Sequence, residues 1–376
     1  MDSQMAQKIM KRFIGLGLEQ RKVYLQRMLQ EGVSPANLPI PQVRLEAAAL
    51  PLSYAQERQW FLWQLDPHSA AYHIPSALRL KGRLDIAALQ KSFEYLIARH
   101  ESLRTRFRRV GEVTQQAVLP GLSIVLAPEE VDEGHLKARI EQEIARPFDL
   151  EQGPLLRITL LRLAEEEHVL VLVQHHIISD GGSMQVMVEE VVQAYTALSH
   201  GHGIDLPALP IQYADYALWQ RSWMEAGEKE RQLEYWFKLL GGEQPVLELP
   251  LDRPRPAVQS YRGASLELVL DDALAAGVRT LAQREGATSF MLLLASFQAL
   301  LYRYSGQRDI RVGVPTANRN RVETQRLIGF FVNTQVLKAD IDEHTTVLTL
   351  LRQARQRVLE AQAHQDLPFE QLVEAV

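Results

Sequence analysis

Val169-Leu170-Val171-Leu172-Val173-Gln174-His175-His176-Ile177-Ile178-Ser179-Asp180-Gly181-Gly182-Ser183 is the stretch around which the 376-residue chain is organised. Its first five residues are an unbroken apolar run, the pattern of a strand buried on both faces. Beyond it, Met184, Met187, Val188, Val191 and Tyr195 fall on one helical face, with Ser183 as the expected N-cap. The local expectation is strand, tight loop, helix, a place where a rigid element carries reactive side chains.

Neighbouring strand residues point to opposite faces, so His175 and His176 are expected to do different jobs. Two readings stand. One is a pair of hydrogen-bonded packing histidines; the other is a neutral imidazole that takes a proton from an attacking amine or hydroxyl, with Asp180 as its orienter or as the partner of a distant arginine. A metal site is disfavoured by the spacing and by the absence of cysteine. Ser183 as a hydrolase nucleophile is disfavoured because Gly181-Gly182-Ser183-Met184 lacks the nucleophile-elbow spacing.

The chain is long enough for two lobes. Net charge is −5, from 41 basic and 46 acidic residues, with no basic run of the kind that tracks nucleic acid. No apolar stretch has the length of a membrane span and no secretory signal is seen; zero cysteines suit a cytoplasmic protein.

In chain order, residues 3–31 read as two short helices split at Gly15 and Gly17, and 34–52 as a proline-rich linker. Ser53 is an expected cap for a helix through Leu65, in Ser53-Tyr54-Ala55-Gln56-Glu57-Arg58. A strand over 72–80, a helix over 85–97 and a charged strand start at Arg99-His100-Glu101-Ser102-Leu103-Arg104-Thr105-Arg106-Phe107 follow. Further expectations are a strand at 115–119, an acidic helix at 129–145 and a hairpin of 155–163 with 168–174. A long helix runs from Tyr213-Ala214-Asp215-Tyr216-Ala217-Leu218-Trp219 to about Leu240. The second half reads as a strand at 265–270, helices at 271–284 and 289–304, and a buried strand at 310–314. The loop Asn318-Arg319, Ile328-Gly329-Phe330-Phe331-Val332-Asn333-Thr334 and His364-Gln365-Asp366-Leu367-Pro368-Phe369-Glu370 close the pass.

These stretches resemble, in order, the motifs SxAQxR, RHExLRTxF, HHxxxDG, YxDYAxW, IGxFVNT and HQDxPFE of condensation domains of nonribosomal peptide synthetases, members of the chloramphenicol-acetyltransferase-like superfamily. The resemblance covers about residues 50–376 and departs at Gly182, where the family usually has an aromatic residue. It implies an α/β (α+β) fold of two acetyltransferase-like lobes forming a V-shaped pseudo-dimer with a central tunnel. The expected boundaries are 1–48 for a helical segment and linker, 49–225 for the first lobe and 226–376 for the second. The second lobe is expected to be incomplete, since a seventh motif is absent and the chain reads as a fragment of a larger synthetase.

By the same resemblance, His176 is the base or amine-positioning group and His175 is structural. Asp180 forms a salt bridge with Arg319. From local geometry rather than from the resemblance, Gly181 and Gly182 near the expected helix N-terminus are placed to direct backbone N–H groups at an oxyanion. The reaction is attack of an acceptor α-amine on a donor thioester. Phosphopantetheine arrives on upstream donor and downstream acceptor carrier proteins beside an adenylation domain, no cofactor is bound covalently, and an excised domain is a monomer. The motif wording is similar to the subtype joining an L-donor to an L-acceptor and to pyoverdine-type siderophore synthetases. An epimerization domain of the same fold, a non-catalytic carrier-docking module and an acyltransferase for a free amine or alcohol are the rival expectations.

Overall fold

The computed structural model describes residues 3–33, 35–43, 50–261 and 263–376. They form two compact units, one of residues 1–229 with 317–332, the other of 230–316 with 333–376.

The first unit begins with helices α1 (Ser3–Gly15) and α2 (Leu18–Gln30). Met10, Phe13, Leu25 and Met28 bury their apolar faces in a cluster with Tyr213, Tyr216, Trp219, Trp223 and Phe331. The proline-rich stretch is not wholly extended linker: Pro35–Asn37 makes a 3₁₀ turn, and Leu38 and Ile40 are buried in the same cluster. Residues 44–49 lie outside the described residues. A three-stranded sheet of order β1-β4-β3 joins β1 (Leu50–Pro51), β3 (Thr105–Val110) and β4 (Val113–Val118). A four-stranded sheet of order β2-β7-β6-β5 joins β2 (His73–Lys81), β5 (Glu129–Glu130), β6 (Leu156–Ala164) and β7 (Glu167–His175).

Helices α3 (Tyr54–Leu65), α4 (Ile86–Arg99), α5 (Glu133–Ala145), α6 (Gly181–Ser199) and α7 (Tyr213–Trp223) complete the unit. Ser53 caps α3 as expected, in a reciprocal box with Gln56. Every residue of β7 after Glu167 is buried. Its five-residue apolar run contributes about 1.5–3 kcal/mol per side chain. It pairs antiparallel on both sides, with His175 opposite His73 and Gln174 opposite Leu156.

Several expectations are corrected. The acidic helix starts at Glu133 because Asp132 caps it, and Glu129–Glu130 forms an edge strand instead. The charged strand start is a 3₁₀ turn, Glu101–Arg104, ahead of β3. The long helix breaks into α7, a π-helical turn Met224–Glu228 and α8 (Lys229–Leu240), since Gly227 at φ 126° cannot continue a helix.

The second unit contains α8, α9 (Asp272–Arg284), α10 (Ser289–Ser305), a two-stranded antiparallel sheet of β8 (Asp309–Thr316) and β9 (Asn333–Asp340), α11 (Val347–Ala363) and α12 (Phe369–Ala375). Trp236, Leu292, Ile310, Leu337, Leu351 and Val358 lie in its core. The strand expected at 265–270 does not form: no described strand lies beside it, and Leu266, Leu268 and Val269 stand exposed. Alternation alone leaves a strand's N–H and C=O groups without ladder partners. Asn333 holds the 365–369 loop within this unit, its Nδ2 donating to the Gln365 and Leu367 carbonyls and its Oδ1 accepting from the Phe369 N–H. The IGxFVNT asparagine thus explains the fold of the HQDxPFE turn.

Candidate active site

β7 ends at His175, and His176 opens a single 3₁₀ turn, His176–Ile178, that leads into α6. Across residues 168–180 every side chain is buried except His176. Its Nδ1 is 2.8 Å from the Ser179 carbonyl oxygen, which only accepts, so Nδ1 carries the proton and Nε2 keeps a free lone pair. The imidazole faces the Phe330 ring, with centroids 4.6 Å apart. Burial lowers its pKa below the ordinary histidine value; the backbone contacts and Asp180 oppose this, and Arg58 adds to it. At neutral pH the ring is therefore an uncharged proton acceptor.

His175 has the opposite tautomer. Its Nδ1 accepts from the Ile177 N–H at 3.1 Å, so its proton is on Nε2. It packs edge-on to His73 and Phe148. Burial, then the neighbouring His73 and His176, push its pKa down to about 3. The divergence expected of adjacent histidines is present, although a turn rather than a continuing strand produces it.

Asp180, not Ser183, is the N-cap of α6, its Oδ1 accepting from the Ser183 N–H at 2.7 Å. The same oxygen takes Arg319 Nη2 at 2.9 Å, and Oδ2 takes the Phe331 N–H at 3.0 Å. A carboxylate so occupied and only 1% exposed has a structural task. Arg319 also donates to the Thr324 and Leu327 carbonyls and to Ser183 Oγ, and lies over the Phe331 ring. The expected Asp180–Arg319 pair is thus present. Gly181 has open space where a Cβ would stand, whereas a Cβ on Gly182 would meet Arg319 Nε at 3.0 Å. The absence of an aromatic side chain at 182 leaves that place to Arg319.

The Ser53 and Tyr213 motifs meet behind this turn. Burial pushes the Tyr213 phenol well above its usual pKa, so it stays protonated. It donates to the Phe330 carbonyl at 2.5 Å, and Ser53 Oγ is 2.8 Å from the phenol oxygen. Gln56 Nε2 donates to the Ile177 carbonyl. A Cβ on Gly329 would lie 2.0 Å from Tyr213 Cδ2, which explains the glycine. The sequence marks His100 only as one of a charged stretch expected to pair structurally and misses its partner Glu190; both are buried and joined at 2.8 Å. Glu190 sits on the apolar face of α6 with Val186, Met187 and Ala194, and a carboxylate in such a stripe is a signal for a buried partner. Among the described residues no group of side chains could hold a metal, and no helix is long and apolar enough to cross a membrane.

The family model for the condensation domain matches residues 46–376. A linear gramicidin synthase polypeptide of Brevibacillus parabrevis is 51% identical over 334 residues, 86% of this chain and 4% of its own length. Malpibaldin synthetase of Mortierella alpina is 45% identical over 341 residues, 89% of this chain and 6% of its own length. The chain therefore spans a small fraction of these curated relatives. Among solved structures, the X-domain in the complex of the X-domain and OxyB from teicoplanin biosynthesis is 31% identical, with a TM-score of 0.83 over 89% of this chain and 74% of that one.

Proposed function

This chain belongs to the condensation-domain family, and from that premise we propose that it forms an amide bond with His176 as the group that accepts or orients the amine proton. The observation that carries the proposal is the bare Nε2 of His176 on the one side chain that escapes burial between residues 168 and 180. The acceptor α-amine attacks the thioester carbonyl carbon of the donor. The N–C bond forms, Nε2 takes the amine proton, the C–S bond breaks, and the leaving thiolate receives that proton back from Nε2, which restores the neutral imidazole. An α-amine titrates near pH 8, so the protein's main task is alignment, and a base adds roughly 10²–10⁴-fold.

Both acyl groups arrive as phosphopantetheine thioesters on carrier proteins, upstream for the donor and downstream for the acceptor, with an adenylation domain alongside and in the cytoplasm. Two acetyltransferase-like lobes are part of this reading; the presence of two compact units supports it, although 317–332 groups with the first unit rather than with the expected 226–376. Gly181 and Gly182, at the α6 N-terminus, offer N–H groups to the oxyanion. The motif wording favours an L-donor and L-acceptor in a pyoverdine-type synthetase.

The test loads donor and acceptor carriers with L-amino acids and measures the dipeptidyl thioester by mass spectrometry for wild type and His176→Ala. Loss of about 10²-fold or more in rate supports a proton-transfer role; an unchanged rate refutes it. The likeness to an X-domain seen in complex with OxyB supports a second reading, a protein-docking module. Carrier binding without product in the same assay would select that reading.

A further inference from the structure

His100 ends α4 and is buried to 1% exposure. Its Nε2 is 2.8 Å from Glu190 Oε2 on α6, and its Nδ1 accepts the Ile328 N–H at 3.4 Å. Ser102 Oγ donates to the Ile328 carbonyl at 2.7 Å, so Ile328 is held by both of its backbone groups. The next residues are held as firmly. Gly329 exchanges two hydrogen bonds with Ser183 Oγ, the Phe330 carbonyl takes Tyr213, and the Phe331 N–H goes to Asp180. This stitched segment carries the Phe330 ring that lies against His176.

We propose that His100 is a positioning residue for the His176 site: its Nδ1 takes the Ile328 N–H, which fixes segment 326–331 beside α6 and holds Phe330 against the His176 imidazole, while Glu190 on Nε2 sets the tautomer that leaves Nδ1 bare. Its effect on rate rests on the reading of His176 given above; its effect on geometry does not. The groups facing His100 are Glu190 from α6, Arg99 from α4 and Arg326, two residues before Ile328. Burial lowers the His100 pKa, the Glu190 contact opposes that, and the two arginines add to it. The ring therefore stays neutral at pH 7, with one nitrogen to donate and one to accept.

The two bonds are separable. His100→Gln retains an N–H for Glu190 but no acceptor near Ile328; His100→Asn places its Oδ1 where Nδ1 stands and gives up the Glu190 contact. Two readouts are used: kcat and acceptor-carrier KM in the amide assay, and the ring ¹H–¹³C shifts of His176, which the Phe330 ring current sets. The expected result is that His100→Gln moves the His176 signals and lowers kcat by about tenfold with KM within about twofold, since small misplacements near reacting groups are costly. His100→Asn restores the signals and most of kcat. The reverse order, with Gln resembling wild type and Asn impaired, would overturn the proposal and leave His100 as a neutral cap for Glu190. Should either variant fail to fold, the wild type decides: ring ¹⁵N shifts must show His100 protonated at Nε2 and bare at Nδ1, and the other tautomer overturns it. If His176→Ala keeps full rate, the base reading fails while the His176 shifts still judge His100.

Discussion

Replacing Asp180 by Asn keeps the volume and one oxygen and removes the charge, which isolates what that carboxylate does. In the wild type it accepts three hydrogen bonds, from Ser183 N–H, Phe331 N–H and Arg319 Nη2. In the variant the amide oxygen can keep the helix cap and the arginine. The amide NH₂ then confronts the Phe331 N–H, donor against donor. Breaking a buried ion pair by removing one partner costs about 3–5 kcal/mol. Arg319 is 11% exposed, so solvent recovers part of this and the lower end applies. The stranded Phe331 N–H adds about 1–3 kcal/mol, non-additively. The expected loss is about 3–5 kcal/mol, a large share of a typical domain's stability. Urea unfolding followed by tryptophan fluorescence reads it, with the transition of the first unit analysed separately. Adding Arg319→Met should recover at least about 1 kcal/mol, because the unpaired charge is then gone. A loss below about 1 kcal/mol with no coupling would refute the structural assignment. Full stability with abolished rate would place Asp180 on the substrate instead.

Acid should destabilise the fold through His175. Its pKa is about 3 when folded and near 6.5 when unfolded, so the unfolded chain binds a proton that the native state refuses. Stability is complete above pH 6.5 and falls as pH drops from 6.5 toward 3, by up to about 1.4 kcal/mol per unit. His175→Asn, which keeps an acceptor for the Ile177 N–H, should flatten urea midpoints measured from pH 7 to 4; an unchanged slope would contradict the burial argument. Gly329→Ala should cost about 1–3 kcal/mol or more, since the new methyl would stand 2.0 Å from a Tyr213 ring that is 2% exposed. An unaltered melting temperature would show that the ring does not press on that backbone.

What can be read from the sequence follows from how local each cause is. The apolar run before His175 and the stripe after Ser183 fix a strand and a helix by periodicity, and both form. The sequence puts the cap three residues too late, because Ser and Asp are equally good caps and only the backbone decides which stands first. The alternation at 265–270 is equally plain, yet a strand is a property of a pair, and no described neighbour is there. Periodicity marks no element over 333–340, where the inward positions include Asn333 and Gln335, polar residues that hide the period of β9. The Asp180–Arg319 pair spans 139 positions and is reached through family resemblance rather than from spacing. The His100–Glu190 pair lies across 90 positions, and only the misfit of an acid in an apolar stripe announces it.

The two adjacent histidines show why residue type alone does not assign chemistry. Each uses Nδ1 in a local backbone bond, but His176 meets a carbonyl and His175 meets an N–H. The carbonyl forces the proton onto Nδ1 of His176 and leaves the lone pair on Nε2; the N–H forces it onto Nε2 of His175 and leaves that ring no outward lone pair. Ser179 supplies that carbonyl only because the chain turns there, and the turn is closed by Asp180, whose two oxygens bind the start of α6 and the 319–331 segment together. The carboxylate of the motif therefore acts on His176 through the backbone: it keeps one carbonyl in place, and that carbonyl decides which nitrogen of the ring carries the lone pair on which the proposed function rests.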